Sequence, residues 1–239
     1  MSMLGRELRA IRSLLFPDVC LICGEYVDSA VEGICIRCRY EIPLTHYWRN
    51  EQNPVKEHFD GLVPLVQGSS FIFYSGKGVW RDMVHRFKYG NVWRIAYVMG
   101  RWYGGELRAS GLYNDVDVVV PVPLHICKLM KRGYNQSTYL AEGIARELGV
   151  KVDSRSVRRV RNNPSQAQSP HDKRWENVEG IFSVRRKESL RGKHILVVDD
   201  VLTTGATITT LIEAILAAVP DCRISVATLA VTRQITAIR

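Results

Sequence analysis

The chain has 239 residues and a formal net charge of +9 at pH 7, with 33 lysines and arginines against 24 acids. Its hydrophobic content of 46% and mean hydropathy of −0.09 are typical of a globular, soluble protein. No apolar run approaches the roughly eighteen residues that span a bilayer, and the basic balance favours phosphate-rich partners.

Residues 1–16 predict an amphipathic helix that ends near Pro17. Leucines and isoleucines recur at helical spacing, and Arg6, Arg9 and Arg12 interrupt them, which does not fit the apolar core of a secretory signal. We therefore expect this helix to pack on the body of the protein, with membrane contact as the alternative, and we expect a cytoplasmic protein.

Four of the six cysteines form two pairs, Cys20-x2-Cys23 and Cys35-x2-Cys38, with eleven residues between the pairs. Because no export signal accompanies them, these pairs favour a metal over disulfides. Four thiolates with tetrahedral preference predict a structural Zn²⁺ ion. A rubredoxin-like iron site and a reduced, metal-free cluster are the alternatives. Cys127 and Cys222 are interpreted as buried core residues.

Composition divides the chain into three parts. Residues 1–43 predict the N-terminal helix and a small four-cysteine, zinc-binding knuckle, which has too little apolar surface to fold without its metal. Residues 44–60 are polar and mixed, and we interpret them as a linker. Residues 61–239 predict one α/β domain.

Strands and helices alternate in that domain. Strands are predicted at 62–66, 70–75, 116–122, 180–184, 193–200 and 223–232, and helices at 79–89, 92–107, 135–148 and 203–219. Gly149 is the expected end of the third helix. Elements in this order predict a parallel sheet covered by helices on both faces.

One strongly patterned segment is ILVVDDVLTTGAT, residues 195–207. Its strand ends in Asp199 and Asp200, and a turn of small residues (203–207) then opens a helix. Such a turn presents backbone N–H groups and the positive end of the helix dipole to a phosphate. The two acids, at the carboxyl end of the strand, can accept hydrogen bonds from ribose hydroxyls, and their adjacent charges favour a nearby Mg²⁺ ion.

A second anion site is predicted after strand 116–122. Lys131, Arg132, Asn135 and Gln136 stand at the start of the next helix, where cations and amides can bind a diphosphate by charge-assisted hydrogen bonds. A basic helix start on a solvated face is the alternative interpretation.

Aromatic and basic residues crowd the region before and within the helix at 92–107. They are Trp80, His85, Phe87, Lys88, Tyr89, Trp93, Tyr97, Trp102 and Tyr103. Aromatic side chains among cations can stack the bases of single-stranded nucleic acid, although at helical spacing they more often belong to a core.

The segment 195–207 resembles the motif with which type I phosphoribosyltransferases bind 5-phosphoribosyl-1-pyrophosphate (PRPP). The resemblance implies that Asp199 and Asp200 bind the ribose hydroxyls. It implies that the 5-phosphate is held by Thr203, Thr204, Gly205, Ala206 and Thr207. In that family a loop after an early strand binds pyrophosphate, and the matching residues here are Val122, Pro123, Leu124 and His125.

Residues 158–179 resemble the flexible loop that closes over PRPP in type I enzymes. A closed loop excludes water and protects the activated sugar from hydrolysis. The residues expected to touch the pyrophosphate or a partner are Arg161, Gln166, Lys173, Arg174 and Asn177. A solvated basic loop is the alternative.

The whole chain is similar to the ComF family of competence-associated, phosphoribosyltransferase-like proteins. The resemblance rests on PVPLH, RGYNQ, RRVRNNPSQAQ, RWENVEGIF and VVDDVLTTGAT, in this order behind a four-cysteine knuckle. It implies a type I phosphoribosyltransferase fold and two alternative functions. One is phosphoribosyl transfer from PRPP with Mg²⁺ to a nitrogen nucleophile, with Asp199, Asp200 and Arg132 in catalysis. The other is a non-catalytic, PRPP-responsive role in DNA uptake, beside single-stranded DNA and a helicase-like ATPase.

Overall fold

A parallel five-stranded sheet, in the order β1-β7-β6-β2-β3, forms the centre of the computed structural model, which describes residues 19–26, 33–74, 83, 93–161 and 180–236. The strands are β1 (Gly68–Tyr74), β2 (Val118–Pro121), β3 (Lys151–Val152), β4 (Val157–Arg159), β5 (Phe182–Val184), β6 (His194–Leu202) and β7 (Arg223–Thr232). Strands β4 and β5 pair with each other as a separate antiparallel ribbon.

Helices cover both faces of the sheet. They are α1 (Ile36–Glu41), α2 (Pro54–Phe59), α3 (Trp93–Ser110), α4 (Ile126–Arg132), α5 (Gln136–Leu148), α6 (Ala206–Ala218) and α7 (Arg233–Thr236). Among the described residues, no helix combines the length and the apolar character needed to cross a membrane.

Strand β6 shows why the sheet needs two covering layers. Leu196 and Val198 belong to the apolar cluster that contains the buried side chains of α3 and α5, whereas Ile195 and Val197 belong to the cluster that contains those of α6 and the ribbon. Successive side chains of a strand point to opposite faces, so a continuous apolar run requires burial on both sides. The predicted parallel sheet with helices on both faces is confirmed.

Helices α3 and α5 approach each other closely at glycines. A Cβ atom added at Gly143 would lie 2.3 Å from the carbonyl oxygen of Tyr97, and one at Gly100 would lie 2.3 Å from that of Leu140. Only a residue without a side chain fits at such a distance between two helix backbones. This packing fixes the position of α5, whose N-terminus faces the carboxyl ends of β2 and β6.

Most of the predicted elements are confirmed, including β1, β6, β7, α3 and α5 with its left-handed cap at Gly149. The strand predicted at 62–66 is wrong. Val63 donates its backbone N–H to the carbonyl of Phe59, so the chain turns there, and Pro64 has no N–H to give to a ladder. The helix predicted at 79–89 lies outside the described residues apart from Met83, and the N-terminal helix at 1–16 lies wholly outside them.

Residues 44–60 are not an extended linker. Asn53 caps α2 by accepting from the N–H groups of Val55 and Lys56, and Pro54 occupies the first helical position. Trp48, Val55 and Phe59 are buried in the two apolar clusters. The segment therefore packs on the larger body, because three apolar side chains outweigh its polar composition. The division of the chain into domains stays a prediction.

The four-cysteine knuckle shares its core with the sheet. Cys20, Ile22 and Ile34 lie in the same apolar cluster as Phe71 of β1 and Tyr103 of α3. The guanidinium of Arg39 in α1 sits 4.2 Å from the ring centroid of Trp102 in α3, at the distance of a cation–π contact. The knuckle is thus packed against the α3 face of the sheet.

Candidate functional site

The turn at 203–207 connects the carboxyl end of β6 to the N-terminus of α6. Gly205 is the N-cap of α6 with a φ of +74°, and no side chain among the described residues caps the helix. The first N–H groups of a helix have no partner inside it, so this turn offers uncapped donors at the positive end of the helix dipole. Thr203, Thr204, Ala206 and Thr207 are exposed and line the hollow above the turn.

Helix α2 packs against the turn at 203–207. The ring Nε2 of His58 lies 3.2 Å from the carbonyl oxygen of Thr204. A Cβ atom at position 205 would come within 2.7 Å of His58 Nε2 and 3.2 Å of Phe59 Cε1. Glycine is therefore required at 205 both by its backbone conformation and by the packing of α2. His58 was not predicted as part of the site, although Asn53-Pro54 is a helix-start signal that could have placed α2.

The two acids lie near the carboxyl end of β6, which continues to Leu202; both are half-buried, and each makes hydrogen bonds that orient its carboxylate. Asp199 Oδ1 accepts from Ser137 Oγ at 3.0 Å and from the backbone N–H of Asp200 at 2.9 Å. Asp200 Oδ1 accepts from the N–H of Val201 at 2.7 Å. Ser137 is a buried residue in the first turn of α5 that was not predicted, and it fixes Asp199 across the strand ends.

The predicted pyrophosphate loop, Val122 to His125, lies beside this pair. The Val122 N–H donates to the carbonyl of Val198 at 2.8 Å, so the loop begins next to the end of β6. His125 is the N-cap of α4, and its Nδ1 accepts from the N–H of Cys127. The structure thus places the loop beside the two acids.

The four polar residues predicted to follow that loop have different surroundings. Asn135 caps α5: its Oδ1 accepts from the N–H of Ser137, and its Nδ2 donates to the carbonyl of Val122. Gln136 is buried, and its Oε1 accepts from Arg132 at 3.3 Å. Lys131 is exposed. The two amides therefore hold the loop and Arg132 in place.

A cleft of about 800 Å³ separates this loop and helices α4 and α5 from the ribbon. Its walls include Leu124 and His125 on one side and Arg158, Arg159 and Arg185 on the other. The ribbon extends into the segment predicted as the flexible loop, since Arg158 and Arg159 are strand residues. Arg161 is the last described residue of that stretch, and its guanidinium lies near Gly180. Gln166, Lys173, Arg174 and Asn177 lie outside the described residues.

Trp80, His85, Phe87, Lys88 and Tyr89 of the predicted aromatic region lie outside the described residues, and the others divide between core and surface. Tyr103 is fully buried and stacks on Phe71, whereas Trp93 is 43% exposed and lies against Tyr139. Trp102 lies under Arg39. The interpretation of Cys127 as a core residue is wrong, because the first turn of α4 leaves it exposed; Cys222 is buried as predicted.

The four cysteines of the knuckle form a single cluster. Their Sγ atoms all lie within 4.8 Å of one another, and Cys23 Sγ is 3.8 Å from Cys35 Sγ. A tetrahedron with Zn–S bonds of about 2.3 Å has S–S edges of about 3.8 Å. None of the described cysteines forms a disulfide. The cluster could therefore hold a metal ion, and zinc fits its size and its donor set.

The thiols of the cluster do not share one environment. Burial acts to raise the pKa of Cys20, but the backbone N–H groups of Cys35, Cys23 and Ile22 outweigh it and lower the pKa to about 6. Burial and the neighbouring sulfurs raise the pKa of Cys38 far above its ordinary value. Four thiolates this close together repel one another, so a bound cation is what allows all four to ionise.

Comparison with known proteins agrees with this arrangement. Residues 135–237 match the model of the phosphoribosyl transferase domain. The chain is 33% identical to the DNA utilization protein YhgH of Salmonella typhimurium over 138 residues, which are 56% of this chain and 60% of that protein. The chain thus covers less than two thirds of the length of that relative.

Two further relatives match over more of their length. The chain is 24% identical to Competence protein F of Haemophilus influenzae over 198 residues, which are 79% of this chain and 86% of that protein. It is 27% identical to Competence protein ComFC of Bacillus subtilis over 191 residues, 80% of this chain and 68% of that protein. The chain is thus similar to a DNA utilization protein and to two competence proteins, and its match to the phosphoribosyl transferase domain follows a four-cysteine cluster.

Proposed function

We propose that this protein binds PRPP and transfers its phosphoribosyl group to a nitrogen nucleophile. The observation that carries the proposal is the uncapped turn at the N-terminus of α6, just beyond a strand that contains Asp199 and Asp200. The turn suits a phosphate and the nearby carboxylates suit ribose hydroxyls, and Asp199 lines the same hollow as the turn. The match to a phosphoribosyl transferase domain supports the same ligand.

In the proposed reaction the C1–O bond to pyrophosphate breaks, a C1–N bond forms, and the nucleophile loses a proton. Pyrophosphate leaves with the electrons of the broken bond. Such a transfer develops positive charge on the sugar, so positioning and charge stabilisation contribute more than a strong base. Asp199 and Asp200 would orient the ribose, and Arg132 would bind the departing pyrophosphate. Mg²⁺ bound with PRPP near these carboxylates would neutralise phosphate charge.

The test is to measure PRPP binding with Mg²⁺ and the release of pyrophosphate with a panel of nucleobases and amines. Asp200→Asn should abolish turnover, while Asp221→Asn should leave it unchanged, because Asp221 is exposed in the turn before β7, at the opposite end of the sheet. PRPP binding without turnover across the panel would exclude the transfer and leave a PRPP-binding protein.

A second candidate function is that of a PRPP-responsive accessory protein that binds single-stranded DNA in natural transformation, beside a helicase-like ATPase. The names of the relatives, competence proteins and a DNA utilization protein, favour it, as does the net charge of +9. Affinity for a single-stranded oligonucleotide should fall steeply with added salt. Absence of binding at low salt would remove this candidate.

We also propose that the metal of the knuckle is zinc in a purely structural role. Four thiolates leave no open position for a reacting ligand. Metal analysis of the purified chain should give about one zinc per chain. Iron in the same site would give the visible absorption of a thiolate–iron centre instead.

A further inference from the structure

Asp153 lies where the chain leaves the sheet and enters the ribbon. It follows β3 directly, and its backbone N–H donates to the carbonyl of Val119 in β2 at 2.9 Å, so its backbone still belongs to the sheet. Strand β4 of the ribbon then begins at Val157. The side chain of Asp153 is half-buried. It can therefore contact the ribbon while the sheet fixes its backbone.

The carboxylate of Asp153 binds both ends of the ribbon. Its Oδ1 accepts from the backbone N–H groups of Arg155 at 3.0 Å and Ser156 at 2.9 Å. Its Oδ2 accepts from the hydroxyls of Ser156 and Ser189, the second at 3.0 Å. Ser156 is fully buried just before β4, whereas Ser189 ends the short 3₁₀ turn that follows β5. One carboxylate thus joins the chain before β4 to the chain after β5.

Two more contacts complete this group, which we call the clasp (Asp153, Ser156 and Ser189). The two serine hydroxyls lie 2.6 Å apart, and the carbonyl of Ser156 accepts from the N–H of Arg185 at 2.7 Å. In the described part of the chain, no cation forms an ion pair with Asp153. Burial acts to raise the pKa of Asp153, but its hydrogen bonds outweigh burial and lower the pKa. N–H and O–H donors therefore stabilise the charged carboxylate.

Apolar packing holds one face of the ribbon, since Val157 and Phe182 belong to the cluster that contains the buried side chains of α6. Apolar contacts have no preferred direction, so they keep the ribbon on α6 without setting its angle. Hydrogen bonds are directional, and those of the clasp set that angle. The angle matters because Arg158 and Arg185 of the ribbon line the cleft opposite the loop at 122–125.

We propose that Asp153 is a positioning residue for the phosphoribosyl donor, an inference that rests on the proposed function of the site. By tying both ends of the ribbon to the sheet, the clasp fixes the distance between the ribbon and the loop at 122–125. A donor that enters the cleft then meets a wall that is already in place. Its binding free energy is not spent on ordering the ribbon, which is the advantage of a preorganised site.

The experiment compares Asp153→Asn and Ser189→Ala with the wild type and with Ser183→Ala, a matched control that removes a hydroxyl from the middle of β5. Calorimetry measures the affinity for PRPP with Mg²⁺ and for ribose 5-phosphate, which has the same sugar phosphate without the diphosphate. Asp153→Asn should weaken PRPP binding by about 10- to 100-fold, the range for a misplaced binding group. Ser189→Ala is the milder change and should weaken it by about 10-fold, as for one lost hydrogen bond to a charged group. Ser183→Ala should bind PRPP like the wild type.

Two further measurements separate positioning from general stability. Ribose 5-phosphate should bind all four proteins equally, because the turn at 203–207 is not part of the clasp. Without any ligand, hydrogen exchange at the N–H of Arg185 should be faster in Asp153→Asn and Ser189→Ala, while exchange in β6 stays unchanged. Together these results would show that the clasp orders the ribbon and that the ordered ribbon serves the donor.

Three outcomes would overturn the inference. Faster exchange at Arg185 with PRPP affinity equal to that of the wild type would mean that the clasp orders the ribbon without serving the donor. Equal losses of PRPP and ribose 5-phosphate affinity would mean that the clasp only stabilises the fold. If the wild type binds neither PRPP nor ribose 5-phosphate, the proposed function itself fails, and the role of Asp153 toward the donor fails with it.

Discussion

The knuckle and the turn at 203–207 are both small polar sites, yet they are held by different forces. The knuckle places four sulfur atoms within 4.8 Å of one another among residues that form a short helix and isolated bridges. The turn joins a nine-residue strand in the middle of the sheet to a thirteen-residue helix with several fully buried side chains.

The knuckle and the turn therefore differ in what stabilises them. We expect the knuckle to depend on a bound metal, because its thiolates repel one another and its regular structure is one short helix. The turn needs no ligand, because its shape follows from the packing of β6, α6 and α2. Four predictions test the stability of these regions, in order of decreasing effect.

Removing the metal should unfold the knuckle and spare the turn. Chelation, or Cys38→Ser, removes metal binding whose apparent free energy in small zinc domains is about 10–16 kcal/mol. Hydrogen exchange should show lost protection at residues 19–26 and 33–42, while β6 and α6 stay protected and ribose 5-phosphate still binds. Cys127→Ser, at an exposed cysteine outside the cluster, should change nothing. Equal loss of protection in α6 would show that the two regions fold as one unit.

Gly143→Ala should destabilise the sheet region through packing alone. The added Cβ would lie 2.3 Å from the Tyr97 carbonyl oxygen, so α3 and α5 must move apart at a cost of about 3 kcal/mol or more. Urea denaturation measures the effect. Gly105→Ala is the matched control on α3, since its Cβ would meet nothing within 4 Å; it should stabilise the protein by about 0.5–1 kcal/mol. Similar effects of both variants would contradict close helix packing.

Gly205→Ala should distort the turn that we propose binds the 5-phosphate. Its φ of +74° costs an alanine about 1–2 kcal/mol, and the contact with His58 adds to that cost. Both the free energy of unfolding and the affinity for ribose 5-phosphate should fall. Gly111 has a similar φ of +77°, and a Cβ there would meet nothing within 4 Å. Gly111→Ala therefore measures the cost of the backbone conformation alone. Adding His58→Ala should recover part of the loss, since the contact with Phe59 remains; no recovery would mean that His58 does not support the turn.

The smallest effect concerns pH and the buried His194 at the start of β6. Burial lowers its pKa, Arg223 lowers it further, and Asp115, 3.0 Å from its Nδ1, opposes the shift. The folded state therefore favours the neutral ring. Its contribution to stability is present above the ordinary histidine pKa of about 6.5 and is lost as pH falls through the lowered pKa. Urea denaturation from pH 7.5 to 5 should show this loss, and His194→Gln should remove it.

The sequence predicted the features that local patterns encode. The spacing of the four cysteines, the apolar run ending in Asp199-Asp200 and the small-residue turn before α6 each lie in a short contiguous segment. Their chemistry depends on neighbours along the chain, so the metal cluster and the strand–turn–helix were expected in place. Composition was less informative at 44–60, where a polar segment contains the buried Trp48, Val55 and Phe59.

Tertiary structure alone decided which residues meet at the site. Ser137 reaches Asp199 from 62 residues away, and His58 meets the Thr204 carbonyl across 146 residues. The half-buried position of Arg159 likewise depends on Phe182, which the ribbon brings beside it. The residues of the turn could be identified from the sequence, because the strand and the helix that flank it are adjacent in the chain. The partners that orient it follow from how helices α2 and α5 pack on the sheet, which no short segment of the sequence encodes.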